Sequence, residues 1–331
     1  HYVDVLRSAI RAVLGPKSLL QYSVVMDQSI YTDPITTKLP SVGPQQTMNR
    51  PKDIPLNINK GEDHTIPNPF IIPGIQKLKI PSQLNAAYNL DNFVEGSCNR
   101  LARSAGYAVA KDPGRTAFNP LLIYGGVGLG KTHLAHAIGI KTKELHPDLT
   151  VLYVNSEQFV QQYANAGINK TTHDFIHFYQ MIDVLIVDDI QFWEKKAQGT
   201  QDAFFHIFND LHLKNKQIII TSDKAPSELQ GIEPRVVSRL KWGLAADLQV
   251  PDAETRMAIL KQKLANDGVE MPNDVIEYIA YNINTNVREL EGALVSLVAQ
   301  SSLNRKQVTL DLATQMVDKF VKSTTREITI D

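Results

Sequence analysis

One short segment constrains the fold of this chain more than any other. Residues 125–132 read Gly-Gly-Val-Gly-Leu-Gly-Lys-Thr and match the pattern G-x-x-x-x-G-K-[ST]. An apolar run precedes the segment and a helical pattern follows it, which predicts a strand, a loop and a helix in that order. Glycines allow consecutive backbone N–H groups to converge on phosphate oxygens, and the helix N-terminus adds its positive dipole. The predicted nucleotide contacts are Gly126, Gly128, Gly130, Lys131 and Thr132.

The predicted loop lies in a region with the pattern of a parallel α/β domain. Four apolar runs are nearly continuous in hydrophobicity, as in strands that are covered on both faces. These runs are Leu121–Tyr124, Val151–Val154, Val184–Val187 and Ile218–Ile220. Helical patterns separate them, which predicts a doubly wound parallel sheet. After Pro251 the strands stop, and four amphipathic patterns predict a small all-helical lobe.

Acidic residues follow two of the predicted strands. Asp188 and Asp189 come directly after Val184–Val187, at the end of a strand where α/β proteins place their ligands. We expect Asp188 and Thr132 to hold Mg²⁺, and Asp189 to polarise the attacking water. Asp223 ends the fourth run, a position that fits either a sensor of the γ-phosphate or a cap of the next helix.

Three arginines occupy positions that point to anions. Asn286 and Glu289 resemble a capping box, so Arg288 falls in a first helical turn, where the dipole disfavours a cation by about 0.3–1 kcal/mol. A nucleotide phosphate would compensate, and the alternative is a salt bridge to a neighbouring glutamate. Arg235 and Arg239 share a helix face, which fits either a solvated basic face or an arginine finger acting on a neighbouring subunit's nucleotide.

Composition excludes the binding of DNA by overall charge. Lys and Arg number 34 and Asp and Glu number 35, so any contact with nucleic acid needs a local basic patch. Trp193, Lys195 and Lys196 form an aromatic–basic cluster of the kind that contacts single strands, although such clusters are more often ordinary surface. The single cysteine, Cys98, cannot form an internal disulfide, which is typical of a reducing compartment. No apolar stretch reaches the roughly 18 residues that a membrane span needs.

The N-terminal part has a different pattern. Residues 1–28 contain one helical and one strand pattern, which is too little for a core, so they resemble the end of a small domain. Prolines recur from residue 34 to residue 81, where neither a helix nor a sheet can propagate. We therefore expect a flexible tether over this region.

Together the motifs resemble those of the DnaA family, the AAA+ ATPases that initiate bacterial chromosome replication. The resemblance spans Leu84–Phe320 and depends on an ordered set of motifs rather than on the phosphate loop alone. These motifs are Asn92-Phe93-Val94-Glu95-Gly96, Asn119-Pro120-Leu121, Gly125–Thr132, Asp188-Asp189-Ile190-Gln191-Phe192, Thr221-Ser222-Asp223, Ser238-Arg239, Trp242-Gly243-Leu244 and Asn286–Leu294. The resemblance implies an α/β AAA+ P-loop NTPase domain with a small all-helical lid, and it implies ATP or ADP with Mg²⁺ as cofactors.

The resemblance also implies roles for individual residues. Those that would line the adenine pocket are Asn92, Phe93 and Val94. Arg239 would be the arginine finger, and Arg235 would support the contact between subunits. Asp223 would be the first sensor and Arg288 the second, and both would act in hydrolysis beside Asp189.

Two helical patterns between the second strand and Asp188 resemble the family's insertion, which wedges subunits into an open spiral. In the family's channel, a valine and a Lys-x-Arg pair hold single-stranded DNA. The positions that match them here are Ala164, Lys196 and Gln198, with Lys195 beside them, so the arginine is absent.

The implied organisation has five segments. They are the remnant of a partner-binding domain at 1–28, a Pro-rich linker at 29–83, the AAA+ domain at 84–249, the helical lid at 250–322 and the start of a connector at 323–331. A helix-turn-helix domain would follow Asp331, so we expect this chain to lack sequence-specific duplex binding.

The implied function is ATP-dependent initiation of chromosomal replication. The ATP form would assemble into an open spiral at the origin and promote melting, and slow hydrolysis would switch it off, unlike in a metabolic enzyme. Implied partners are further copies of the chain, origin DNA including single strands, the replicative helicase through the N-terminal domain, and acidic phospholipids. The implied location is the cytoplasm. The alternatives are a helicase loader or initiator paralogue, which lacks the Pro-rich tether, and a motor such as a clamp loader, which lacks the two-helix insertion.

Overall fold

Five parallel strands form one sheet at the centre of the fold. The computed structural model describes residues 80–194, 198–304 and 307–327. Along the chain the strands are β1 (Leu121–Gly125), β2 (Val151–Asn155), β3 (Val184–Asp188), β4 (Gln217–Ser222) and β5 (Leu244–Leu248). They lie in the order β2-β3-β4-β1-β5, and every neighbouring pair is parallel. The predicted parallel α/β sheet is confirmed, with β5 as a strand that the four apolar runs did not include.

Helices cover both faces of the sheet, as the apolar runs predict. The helices of one face are α1 (Arg100–Lys111) and α2 (Lys131–Leu145). Those of the other face are α3 (Ser156–Ile168), α4 (Thr172–Gln180), α5 (Gln198–Leu213) and α6 (Pro234–Leu240), with a 3₁₀ turn at Ile190–Trp193. Leu121 and Ile123 of β1 pack in the first core and Leu122 packs in the second, as the alternation of side chains along a strand requires.

The connection from β2 to β3 contains two helices, α3 and α4, as the sequence predicts. Asn155 begins α3 by accepting a hydrogen bond from the backbone N–H of Gln158 at 2.7 Å. Phe159 of α3 and Tyr179 of α4 are buried together, with ring centroids 5.0 Å apart. The insertion is therefore packed onto the face of the sheet by its own aromatic core.

The region after β5 is all helical. Its helices are α7 (Ala253–Asp267), α8 (Asn273–Asn282), α9 (Val287–Asn304) and α10 (Leu310–Glu327). They enclose a hydrophobic core of their own, centred on residues such as Leu260, Ile279 and Leu290. Asp252 caps α7 through the N–H of Thr255 at 2.8 Å. In the described residues, none of the helices combines the length and the apolar character that crossing a membrane would need.

The described chain begins at Ile80, and its first residues lie against the nucleotide-binding domain. The carbonyl of Ser82 accepts a hydrogen bond from the N–H of Tyr153 at 2.9 Å, and the N–H of Asn85 donates to Nδ1 of His136 at 3.2 Å. The predicted segment 1–28, most of the predicted linker and part of the connector lie outside the described residues, so the segment boundaries stay predictions.

Candidate nucleotide-binding site

The glycine-rich loop joins β1 to α2, as the sequence predicts, and two of its glycines cannot be replaced without strain. Gly128 and Gly130 have φ angles of 75° and 93°, in the left-handed region that favours glycine. A Cβ on Gly128 would lie 2.7 Å from Oδ1 of Asn286. The carbonyl of Gly128 accepts hydrogen bonds from the backbone N–H groups of Val287 and Arg288, at 3.1 and 3.3 Å. The loop is therefore in direct contact with the start of lid helix α9.

Lys131 is the first residue of α2, and its side chain is only 5% exposed. Its Nζ donates to the carbonyls of Gly125 at 2.9 Å and Gly126 at 2.7 Å. The same Nζ lies 2.6 Å from Oδ1 of Asp223. All three ammonium donors thus have partners inside the loop region, which fixes the lysine at the place where phosphate oxygens would arrive.

Asp188 connects four elements at the carboxyl end of the sheet. It is 2% exposed and accepts hydrogen bonds from three hydroxyl groups. Thr132 and Tyr153 donate to Oδ2, at 2.9 and 2.7 Å, and Thr221 donates to Oδ1. A carboxylate beside a threonine hydroxyl is an oxygen donor set that suits Mg²⁺, which takes few protein ligands when phosphates complete its shell. The residues predicted for Mg²⁺, Thr132 and Asp188, therefore fit that ion.

Asp189 and Asp223 are joined by Gln191. Nε2 of Gln191 donates to Oδ1 of Asp189 at 3.1 Å and to Oδ2 of Asp223 at 2.8 Å, and its Oε1 accepts from the N–H of Asp223 at 3.1 Å. Burial raises the pKa of Asp189, and the neighbouring Asp188 carboxylate raises it further. A carboxylate with a raised pKa is a better proton acceptor, as the predicted role of Asp189 requires.

The structure excludes one of the two alternatives for Asp223, the cap of the next helix. After β4 the next helix is α6, which begins at Pro234 behind Glu233, so Asp223 caps no helix. Instead Asp223 lines a cavity of about 400 Å³ with Lys131, Thr132, Asp189 and Arg288, which we call the phosphate-side pocket. This location is compatible with a sensor of the γ-phosphate.

Arg288 reaches the phosphate-side pocket from the lid. The predicted capping pair is present, because the N–H of Glu289 donates to Oδ1 of Asn286 at 2.9 Å. Within the described part of the chain, no ion pair of Arg288 with a glutamate is formed, since Glu289 is engaged by Asn286 and Thr285. The cation in the first turn of α9 therefore lines a pocket that also contains the carboxylates of Asp189 and Asp223, and among the described residues it forms an ion pair with neither.

A second cavity, which we call the aromatic pocket, adjoins the loop on its other side. Its volume is about 230 Å³, and the predicted residues that line it are Asn92, Phe93 and Val94. His133 also lines it, and its Nε2 is held by the carbonyl of Asn89 at 3.0 Å. Burial lowers the pKa of His133 and favours the neutral ring. A cavity lined by both apolar and polar side chains beside the glycine-rich loop is suited to a nucleotide base.

Arg235 and Arg239 lie on α6, as predicted, and line neither pocket. The Arg235 guanidinium is paired with two carboxylates, Asp202 and Glu233. Arg239 has no such neutralising partner among the described residues. Its Nε donates to Oδ1 of Asn209 at 2.9 Å, and its guanidinium carbon lies 3.8 Å from the ring centroid of Trp242.

The candidate contacts to single-stranded DNA are described only in part. Ala164 is exposed on α3, whereas Lys195 and Lys196 lie outside the described residues. Trp193 is not a surface residue as the aromatic–basic pattern suggested. It is 1% exposed, and its Nε1 donates to the carbonyl of Ser156 at 3.0 Å. The 3₁₀ turn after β3 rotates this ring into the core, so it cannot stack on a base.

Comparisons with known proteins agree with this arrangement. Residues 84–247 match the model of the bacterial DnaA ATPase domain. The chromosomal replication initiator protein DnaA of Flavobacterium psychrophilum is 57% identical over 332 residues, which cover 100% of this chain and 69% of that protein. The protein of the same name from Bacteroides fragilis is 44% identical over 331 residues, with 100% of this chain and 67% of that protein covered.

Solved structures show the same relationship. Domain III of the Thermotoga maritima replication initiation protein DnaA matches with a TM-score of 0.69 and 41% identity, over 72% of this chain and 99% of that one. A replication initiator DnaA bound to AMPPCP and single-stranded DNA matches with a TM-score of 0.61 and 39% identity, over 67% and 69%. The Thermotoga maritima RuvB branch migration motor, at 17% identity and a TM-score of 0.53 over 70% and 71%, shares the fold alone. The motifs, the fold and these relatives together show that the chain belongs to the DnaA family of bacterial chromosomal replication initiators.

Proposed function

We propose that this chain is an ATP-controlled assembly switch in the initiation of chromosomal replication. The observation that carries the proposal is that one cation lies apart from two others. Lys131 and Arg288 line the phosphate-side pocket, whereas Arg239 lies on α6 outside that pocket and has no carboxylate partner among the described residues. An arginine held in this way is suited to complete the site of a neighbouring copy of the chain.

The nucleotide would be ATP or ADP. Its base would enter the aromatic pocket beside Phe93, and its phosphates would lie on the backbone N–H groups of the loop and the N-terminus of α2. Two solved relatives support this proposal, because they are DnaA structures with AMPPCP bound.

Hydrolysis would use residues at the ends of β3 and β4. Thr132 and Asp188 would hold Mg²⁺, which neutralises charge on the phosphate oxygens. Asp189, with its raised pKa, would orient and polarise the attacking water. Asp223 would report the γ-phosphate through Lys131 and Gln191. We expect hydrolysis to be slow, because it resets a state rather than driving repeated turnover.

The γ-phosphate would be read twice. Arg288 would read it from the lid of the same copy, and Arg239 would read it from the next copy, since ADP offers neither arginine that anion. The packed insertion of α3 and α4 would then tilt each copy against the next, so that the contact repeats without closing into a ring.

The remaining partners are proposed from the family. Origin DNA, including single strands, would bind the assembled copies. The contacts would come from Ala164, which is exposed on α3, and from Lys195 and Lys196, which lie outside the described residues. The DnaA relative with bound single-stranded DNA supports this step. The replicative helicase would be a partner through the N-terminal domain, acidic phospholipids would be a further partner, and the cytoplasm would be the location.

The competing assignments are less well supported. A helicase loader or an initiator paralogue is not favoured, because the relatives at 57% and 44% identity are chromosomal replication initiator proteins. A motor ATPase is supported by fold alone.

Assembly of the chain with nucleotide tests the proposal. We expect analytical ultracentrifugation to show large species with a non-hydrolysable ATP analogue and not with ADP. Arg239→Ala is expected to keep its ATP affinity and to lose these species, while the control Arg100→Ala, an exposed arginine of α1, assembles normally. Mixing Arg239→Ala with Lys131→Ala is expected to restore some interfaces, because one variant supplies ATP and the other supplies the arginine. Normal assembly of Arg239→Ala, or loss of its ATP binding, would contradict the role in trans.

A further inference from the structure

Two side chains hold the guanidinium of Arg239 from different sides. We propose that Trp242 and Asn209 are positioning residues, which present Arg239 in a fixed orientation to the γ-phosphate of a neighbouring copy. The inference rests on the proposed function of Arg239 and adds the means by which the finger is aimed.

The contacts restrict the guanidinium to one plane and one direction. Its carbon lies 3.8 Å from the centroid of the Trp242 ring, which is the geometry of a cation–π stack. Nε donates to Oδ1 of Asn209 at 2.9 Å, and the Phe205 ring lies 5.3 Å away. One face and the inner nitrogen of the group are therefore occupied.

The outer end of the guanidinium is left for an anion. Among the described residues, Asn209 is the partner that accepts a hydrogen bond from Arg239, and it accepts from Nε alone. Two Nη amino groups in a rigid fork then remain for phosphate oxygens, which a guanidinium binds in pairs. Both supports are uncharged, so the positive charge of the finger is not neutralised before the neighbour arrives.

Arg235 shows the opposite arrangement on the same helix. Its guanidinium pairs with Asp202 and Glu233, and it also lies 4.8 Å from the Phe205 ring. Carboxylates pair with its Nε and with one Nη, and the pair with Asp202 joins α6 to α5, so its charge is already partly neutralised. The comparison shows that the neutral supports of Arg239 are a specific feature and not a general property of this surface.

Core packing does not explain Trp242. Its side chain is 52% exposed, an unusual position for the largest aromatic residue. Its backbone is nonetheless fixed, because its N–H donates to the carbonyl of Arg239 at 3.1 Å and a Cβ on Gly243 would lie 2.0 Å from the carbonyl oxygen of Pro120. The ring is thus held at the surface between Arg239 and the His212 ring, whose centroid lies 5.2 Å away.

The experiment measures assembly of the whole chain with a non-hydrolysable ATP analogue. We expect Trp242→Leu to raise the protein concentration for half-assembly by about three- to tenfold, since an exposed cation–π contact is lost and the arginine regains freedom. Asn209→Ala is expected to act in the same direction. Trp242→Phe keeps an aromatic face and should remain within about twofold of the wild type. The matched control is Tyr107→Leu, which removes an aromatic ring that is 51% exposed on α1.

Two further readouts separate positioning from a loss of folding. Monomer ATP affinity and the melting temperature should be unchanged in Trp242→Leu, while kcat for assembly-dependent hydrolysis falls and KM for ATP stays within about twofold.

The outcomes also distinguish this inference from the function on which it rests. If Arg239→Ala loses assembly but Trp242→Leu and Asn209→Ala assemble like the wild type, the supports are unnecessary and the inference is wrong. Normal assembly of Arg239→Ala itself would refute the finger and the supports together.

Discussion

The carboxylate of Asp223 and the ammonium group of Lys131 form an ion pair across the phosphate-side pocket, with 2.6 Å between Oδ1 and Nζ. Asp223 follows β4 and Lys131 begins α2, so the pair connects the end of β4 to the start of α2. A γ-phosphate and Asp223 would compete for the same ammonium group. Arrival of ATP would therefore free Oδ1 of Asp223 to act on the attacking water, while Oδ2 stays bonded to Gln191.

This competition makes a prediction for Asp223→Asn. The variant keeps the size of the side chain and removes the charge that competes for Lys131, so ATP affinity should be unchanged or up to about threefold tighter. Single-turnover hydrolysis should slow by at least about tenfold, because the sensor can no longer act on water. The control is Asp210→Asn, whose carboxylate pairs with Lys214 on the surface of α5. A large loss of ATP affinity in Asp223→Asn would show that the ion pair maintains the loop instead.

Lys131→Ala should abolish tight binding of ATP and ADP, since it removes the ammonium group held at the phosphate position. The wild type should melt about 5–10 °C higher at a hundredfold excess of Mg·ATP over the dissociation constant. The variant should show no such shift in differential scanning fluorimetry. Lys141→Ala, on the same helix and paired with Glu144 at the surface, should respond like the wild type. A normal shift in Lys131→Ala would refute the assignment of the loop.

The stability of the chain should decrease between pH 7.5 and pH 5.5, in part because of His136. This ring is buried and stacks on Tyr153 with 4.0 Å between centroids. Burial lowers the pKa of His136, with a small opposing effect of the Asp188 carboxylate. The folded state keeps the ring neutral while the unfolded chain takes up a proton below about pH 6.5, so stability is full above that pH and is lost as the pH falls.

The variant His136→Asn separates the contribution of His136 to this pH dependence from the contributions of other titrating groups. It retains an acceptor near Nδ1 for the N–H of Asn85 but loses the titrating ring and the stack. We expect it to be less stable than the wild type at pH 7.5, with the difference in urea midpoint narrowing at pH 5.5. A constant difference across this range would show that His136 does not titrate on unfolding.

Single-stranded DNA should bind only when copies assemble, because the chain has a net charge of −1 and no overall basic character. Lys196→Ala should weaken ATP-dependent binding of a labelled single strand, as measured by fluorescence anisotropy. Lys214→Ala, which removes a lysine paired with Asp210, should leave it unchanged. Equal binding by wild type and Lys196→Ala would exclude the channel contact at this position.

Local pattern was sufficient to predict the phosphate loop and the acidic end of β3, because their chemistry depends on residues that are adjacent in sequence. The strand β5 was missed because the prediction depended on continuous apolar runs, and β5 does not contain one. Its residues Leu244–Leu248 include two alanines and an aspartate, so the apolar run is short, and the strand forms because β1 offers a free edge for pairing.

Contacts between distant residues could not be predicted. Tyr153 reaches Asp188 because β2 and β3 are neighbours, and Gln191 joins Asp189 to Asp223 because β3 and β4 are neighbours. Sheet order determines these pairs, and no spacing in the sequence encodes it. The predicted exposure of Trp193 was wrong, because a 3₁₀ turn and not the character of the neighbouring residues determines where the ring points.

Among the described residues, the hydrogen bonds between the lid and the loop join main-chain atoms, from the N–H groups of Val287 and Arg288 to the carbonyl of Gly128. Hydrogen bonds between main-chain atoms do not depend on which side chains occupy those two positions. A substitution at either position could change the side chain that faces the pocket without changing the hydrogen bonds that join the lid to the loop. Proline at one of these positions would remove one of the two hydrogen bonds, because proline carries no N–H to donate. A substitution at Arg288 would therefore change the side chain that faces the phosphate-side pocket and keep the hydrogen bond that joins the lid to the loop.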